Sequence, residues 1–398
     1  MKIEISANEL FNRIMDLKIL VDAGDNDPVA IEAYATGKDG RVVVRAQSYT
    51  EFVELQIYAR ALESGTVSFY FRELAQAAHA FTRHTITITR LAARSVISAG
   101  SESITLESPI KANQAVDAPS GGERTVFDSD DFLVVMADVA HAQSEDSSRP
   151  TLCGVQFEVA ADMKLRAIAT DGRCLAVSAR QISSAELKKP EFSAFLPRPA
   201  CEFLVRVPLG KTTTIVQFGN KGQIGIETGG SVGYFNTPEK TFPNWREVVP
   251  NDPPLLAEFD AGETEDTLNH AVLALDHKVL VKDDEDDPDS EVTTEYNRLA
   301  AHLFYSAETS GDYMDISVKD PYGCTESKFC TRVKCKVPEG GSVEALLDPR
   351  FLLRMLRCMS GTVMMSAAKL KDSEQLGPVL FKCPAFPDFF EIIMPLRD

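Results

Sequence analysis

Hydrophobic and polar positions alternate most clearly between residues 149 and 180. Val155, Phe157 and Val159 are interleaved with Gln156, Glu158 and Ala160, and Leu165, Ala167 and Ala169 with Arg166, Ile168 and Thr170. A period of two describes a strand with one wet face. Thr170-Asp171-Gly172-Arg173 has the Asp and Gly of a tight turn, and Leu175-Ala176-Val177 opens a third strand. The stretch is therefore a meander whose small-residue turn is flanked by apolar positions. Such a turn offers backbone donors and little bulk, so an apolar peptide could dock beside it.

A helical period governs other stretches. Leu10, Ile14, Leu17 and Val21 predict a helix over 8–21, with Asn8 as N-cap. Phe132, Val135, Met136 and Val139 predict one over 129–143, capped by Ser129 or Asp130. Further helices are expected at 72–82, 199–205, 264–281 and 349–359, two of them with Pro in the first turn, where it is tolerated. Strands are expected at 29–35, 41–46, 51–58, 85–89, 95–99 and 103–107, then at 213–219, 223–227 and 231–236. The last group covers 296–306, 312–319, 328–336, 362–367, 379–382 and 391–394. Read in order, helix, strands, helix, strands occurs three times. Pro/Gly-rich punctuation at 118–122 and 251–254 divides the copies into 1–118, 119–252 and 253–398. Few helices among antiparallel strands make the class α+β.

Composition narrows the possibilities. The 398 residues are 44% hydrophobic, enough for several cores, and no run of 18 apolar residues occurs. The N-terminus has no signal-peptide pattern, so a cytoplasmic protein without membrane contact is expected. The eight cysteines include no C-x-x-C pair and read as reduced thiols; the spacing of Cys324, Cys330 and Cys335 is wrong for common zinc knuckles. Lys282 to Asp289 is an acidic run without the turn Gly of a calcium loop, and reads as a solvated loop. No nucleophile elbow, phosphate loop or zinc-protease motif appears, which disfavours a hydrolase, and no cofactor is called for. His141, followed by Ser144, Glu145 and Asp146, is better explained by a polar loop after a helix than by acid–base chemistry. The net charge of −18 argues on average against nucleic acid, although an average does not forbid a basic inner wall.

Three separated motifs carry a resemblance. Leu152-Cys153-Gly154 with Ala169-Thr170-Asp171-Gly172-Arg173-Cys174-Leu175-Ala176-Val177 resembles the central domain of the bacterial replicative sliding clamp, the DNA polymerase III beta subunit. Phe242-Pro243-Asn244-Trp245-Arg246 with Val248-Val249-Pro250 resembles the end of that domain, and Met394-Pro395-Leu396-Arg397 resembles the family's tail. Departures are Cys174 for a usual Arg, Glu247 for a usual basic residue and a terminal Asp398 for an apolar one.

The resemblance implies three clamp domains in an arc. Two arcs would close into a homodimeric ring, with helices inside and sheets outside, encircling double-stranded DNA without sequence preference. The ring would act as a non-catalytic processivity factor, tethering polymerase and clamp-loader subunits through short linear motifs. The partner pocket would be Leu152, Thr170, Gly172, Arg173, Leu175, Pro243, Val248, Met394, Pro395, Leu396 and Arg397. DNA contacts would come from Arg72, Arg149, Arg198, Lys278, Arg350, Arg354 and Arg357, and the dimer contact from Ile104 and Leu106. Arg350, Arg354 and Arg357 recur at helical spacing and so share one face. The competing reading is ordinary solvated faces and sheet cores. The acidic helix carrying Asp130, Asp131 and Asp138, with Cys174, Glu247 and Asp398, keeps open a second function: a divergent regulatory paralogue that binds partner peptides without holding DNA topologically.

Overall fold

The computed structural model describes residues 1–20, 28–34, 41–47, 51–91, 94–107, 121–182, 191–218, 222–275, 278–282, 292–296, 299–305, 313–319, 328–339, 343–370 and 375–396. Two compact units are formed. One holds Met1–Met136, Asp146–Leu165 and Arg180–Phe242; the other holds Ala137–Glu145, Arg166–Ala179 and Pro243–Asp398. Among the described residues, no helix is long and apolar enough to cross a membrane.

Six α-helices are described: α1 (Ala7–Asp16), α2 (Phe71–Ala80), α3 (Ser129–Val139), α4 (Arg198–Arg206), α5 (Ala261–Leu275) and α6 (Pro349–Leu356). A strand runs directly into each of the first five: Lys2–Ser6, Gly65–Tyr70, Glu123–Asp128, Phe192–Pro197 and Leu255–Asp260. Val343–Leu347 precedes α6 with only Asp348 between. The strand-to-helix junction needs no turn, because a residue in extended conformation also serves as N-cap: Ser6 has ψ 126° and Tyr70 ψ 134°. The order strand, helix, strands, strand, helix, three strands recurs three times along the chain.

The capping expectations need correcting. Helix α1 starts one residue before Asn8, with Ser6 as its N-cap. On α3 the cap is Asp128, whose Oδ1 accepts the N–H groups of Asp130 (3.0 Å) and Asp131 (3.1 Å). The helix expected over 264–281 ends at Leu275, and Lys278–Lys282 instead pairs antiparallel with Val292–Tyr296. Its Val279-Leu280-Val281 core is β-rich, and β preference overrides a period that had run its course.

In the first unit, a five-stranded antiparallel sheet runs Ala59–Glu63, Lys2–Ser6, Thr85–Leu91, Arg94–Ala99, Glu102–Glu107. An eight-stranded sheet starts with Glu123–Asp128, Thr212–Gln217, Gln223–Thr228 and Ser231–Asn236. It continues through Phe52–Ile57, Arg41–Gln47, Pro28–Tyr34 and Gly65–Tyr70, joined by the register Val232↔Glu54 to Tyr234↔Phe52. Gly154–Val159 pairs with Phe192–Pro197. A Cβ on Gly154 would lie 2.2 Å from the Leu196 carbonyl oxygen, so only glycine lets these strands approach. Phe132 stacks on Phe157 at 4.2 Å and meets Phe127 at 5.3 Å, and Phe127 meets Phe192 edge-on at 4.9 Å.

In the second unit, strand neighbours run from Cys174 onward through Phe386–Ile393, Val379–Cys383, Thr362–Ser366, Leu255–Asp260, Lys328–Lys336, Tyr313–Lys319, Ala300–Tyr305 and Val343–Leu347. All these pairings are antiparallel. Helices α5 and α6 lie against each other, with Leu352, Leu353, Met355 and Leu356 of α6 buried.

Candidate functional site

The turn after residue 170 closes on itself. Asp171 Oδ1 accepts the N–H groups of Arg173 (2.7 Å) and Cys174 (2.9 Å). Thr170 Oγ1 accepts from Gly172 N–H (3.0 Å) and donates to the Cys174 carbonyl (2.5 Å). Gly172 sits at φ 91°, which an L side chain rarely adopts. The backbone donors expected to face a peptide are thus used inside the turn. What the turn offers outward is an acceptor: the Arg173 carbonyl takes the Met394 N–H at 2.8 Å.

That bond anchors the C-terminal segment. Cys174 pairs with Ile393 and Leu175 with Ile392, so the tail leaves the sheet edge beside the turn. Leu175 is buried at 4% exposure and belongs to the core. Burial, together with the nearby Asp171 and Glu391 carboxylates, pushes the Cys174 thiol far up, so it stays protonated. Met394 is 39% exposed, while Pro395 and Leu396 are half-buried. Leu396 N–H donates to the Leu346 carbonyl at 2.8 Å. The tail borders a groove of ≈ 980 Å³ whose lining includes Leu255, His302, Lys319, Leu346, Leu370 and Met394. Sequence reasoning missed this groove because the strand bearing Leu255 runs directly into its helix and the strand bearing Leu346 is parted from its helix by Asp348 alone.

The remaining pocket candidates divide. Pro243 is exposed and Val248, in the 3₁₀ turn Trp245–Val248, is 46% exposed. Trp245 is buried, 6.5 Å from the Phe390 ring, with Arg246 over it at 4.3 Å. Glu247 accepts from Asn244 Nδ2 at 2.8 Å, so the departure from a basic residue is engaged locally. Leu152 is buried in the 3₁₀ turn Pro150–Leu152 of the first unit. Arg397 lies outside the described residues, as do Asp398, Cys324 and the acidic residues 283–289.

The basic candidates are unequal. On α6, Arg354 is exposed and Arg350 half-buried, and Arg357, its C-cap, is exposed. Arg354 lies over the Phe351 ring at 5.9 Å, and Arg357 reaches Asn269 (3.3 Å) and Glu265 (3.5 Å). Asp348 Oδ1 caps the helix through Arg350 N–H at 2.9 Å. Arg72 is exposed at the second position of α2, Arg198 opens α4, and Arg149 pairs with Asp146 at 2.9 Å. Lys278 opens a strand and not a helix. Arg13, another basic helix residue, is tied to Glu9 and Asp16 along its own helix. On the acidic α3, Asp131 pairs with Arg180 at 2.8 Å and Asp138 accepts from the Ser178 hydroxyl at 2.6 Å.

Ile104 and Leu106 occupy the edge strand Glu102–Glu107 of the five-stranded sheet, both half-buried on one face between exposed Ser103, Thr105 and Glu107.

His141 finds its partners far along the chain and not in Glu145 or Asp146. Its Nε2 lies 2.8 Å from Glu391 Oε2 and its Nδ1 3.6 Å from Cys358 Sγ. Burial opposes the charge, but hydrogen bonds to Cys358 and Glu391 overcome it and push the imidazole from 6.5 up to about 10. Between those two values the folded chain holds a proton that the unfolded chain has released. The pair's contribution is therefore full below pH 6.5 and is lost as pH rises to about 10. The thermal midpoint is expected to fall across that interval, and His141→Gln should remove part of the fall; an identical pH slope in the variant would contradict the pairing.

Solved structures share this fold from end to end. The DNA polymerase III subunit beta of Pseudomonas aeruginosa superposes with a TM-score of 0.77 at 17% identity, covering 100% of both chains. Caulobacter crescentus pol III beta gives 0.76 at 17%, again over 100% of both chains. The Bacillus subtilis DNA polymerase sliding clamp gives 0.75 at 15%, over 100% of this chain and 99% of the other. The architecture is that of a DNA sliding clamp. Residues 127–244 match, more particularly, the family described as the DNA polymerase III beta subunit, central domain. That match lies within a fold likeness that runs the length of the chain.

Proposed function

We propose that the protein is a DNA sliding clamp: two copies form a ring around duplex DNA and tether a polymerase and other partners to it. The observation that carries this reading is the central-domain match at 127–244 set inside a fold likeness that covers the whole chain. Each copy comprises three clamp domains, 1–118, 119–252 and 253–398, and supplies the edge strand of Ile104 and Leu106 to the junction, where an unpaired edge needs covering. Phosphates meet Arg72, Arg149, Arg198, Arg350, Arg354 and Arg357, contacts that fix position without reading sequence. The ring performs no chemistry; by raising a partner's effective concentration it turns weak peptide contacts into long residence.

The partner peptide lies between the turn of Thr170, Gly172 and Arg173 and the tail Met394-Pro395-Leu396-Arg397, with Pro243 and Val248 exposed for contact. A flexible Met and an adjacent Pro suit an adaptable apolar site. Deleting residues 394–398 removes the Met394 N–H bond to Arg173 and one edge of the groove. The deletion should abolish binding of a polymerase-tail peptide in fluorescence anisotropy while leaving the circular-dichroism spectrum intact. Unchanged peptide affinity would overturn the site.

The acidic α3 favours a second reading, a regulatory paralogue that binds peptides but is not topologically linked to DNA. Its partner site is the same; its behaviour on circular DNA is not.

A further inference from the structure

Three side chains distant in sequence meet in the second unit and take no part in the proposed clamp function. Glu391 is entirely buried, yet among the described residues only its Oε2 is bonded, to His141, and Oε1 meets no partner. Leaving a carboxylate oxygen unpaired in the interior is costly. The cost is offset where the carboxylate holds a cation, and His141 is the group it faces. Because Glu391 accepts at Nε2, the ring must carry its proton there, and Nδ1 is left directed at Cys358 Sγ, 3.6 Å away. Cys358 follows α6, half-buried, and its sulfur also meets the Arg354 carbonyl at 3.7 Å. Burial pushes the Glu391 carboxyl up, its hydrogen bond to His141 and the charges of His141 and Arg354 pull it down, and Asp171 adds to the upward push. The order is thiol, imidazole and orienting carboxylate.

We propose that Cys358 is a reactive thiol, primed by the His141–Glu391 pair to form mixed disulfides with low-molecular-mass disulfides. The protonated His141 ring directs its Nδ1–H at Cys358 Sγ and, with Glu391 opposite, stabilises a thiolate there. The thiolate attacks one sulfur of the incoming disulfide. A new S–S bond to Cys358 forms as the old one breaks, and the departing thiolate leaves with the electron pair and takes the proton from His141. The incoming disulfide is the oxidant, and reduction by excess small thiol reverses the step. The strong upward push on the His141 imidazole agrees with a proton held between ring and sulfur.

The test uses the full-length protein and dithiodipyridine, with each cysteine followed by mass spectrometry of its peptide. Cys330, which is exposed, is the internal comparison. At about pH 6, Cys358 should react about tenfold or more faster than Cys330. His141→Gln should return the Cys358 rate to that of Cys330. A Cys358 rate in the unaltered protein no greater than that of Cys330 at that pH overturns the proposal, and needs no variant. An unaltered rate in folded His141→Gln overturns it equally.

Discussion

Reversing Arg350, Arg354 and Arg357 together to glutamate is expected to lower affinity for duplex DNA by about two to three orders of magnitude at 0.1 M salt, and to flatten the slope of log K against log salt by about 2.7. The physics is counterion release: each cation that neutralises a phosphate frees about 0.9 of a condensed ion. The geometry supports treating the three as one unit. They follow one another at helical spacing along α6 and its C-cap, Arg357, while the helix buries Leu352, Leu353, Met355 and Leu356. Arg357 must exchange Glu265 and Asn269 for phosphate, which costs little because an exposed pair contributes at most about 1 kcal/mol. Filter binding or anisotropy across a salt series reads both quantities. An unchanged slope in a folded variant removes α6 from the DNA-facing surface.

Phe132→Ala is expected to destabilise the first unit by about 3–5 kcal/mol in urea or thermal unfolding. Phe132 is 1% exposed and lies flat on Phe157 at 4.2 Å with Phe127 alongside, so truncation empties the centre of an aromatic cluster. Val134, two residues on but 42% exposed, is the control: Val134→Ala should stay within about 0.5 kcal/mol. A loss under about 1 kcal/mol for Phe132→Ala would mean that the cluster repacks and does not hold α3 in place.

The contrast between those residues was already visible in the periodicity, which set Phe132, Val135, Met136 and Val139 on one stripe. Most strands with clean alternation, such as Gly154–Val159 and Ser231–Asn236, were equally legible. The strands that precede the helices were not. The first five run straight into their helices with no loop between, and the Pro residues at the borders of α4 and α6 read as first-turn helix residues, not as the end of a strand. The turn at Thr170 to Arg173 was legible as a turn, but not that its own Asp171 and Thr170 side chains would consume its donors. Nor could local reading find His141's partners, since Cys358 and Glu391 lie 217 and 250 residues away. The groove beside the tail depends on strands that were missed and on a hydrogen bond from Leu396 to Leu346, which no spacing announces.

Retention on circular DNA separates a topological link from adhesion most directly. The protein is loaded onto a nicked circular duplex, washed at a salt concentration that removes electrostatically bound protein, and followed by gel filtration before and after a single cut in the circle. A closed ring of two copies stays with the circle and departs once ends are available. Protein that washes off the intact circle, or that remains equally bound after the cut, contradicts encirclement.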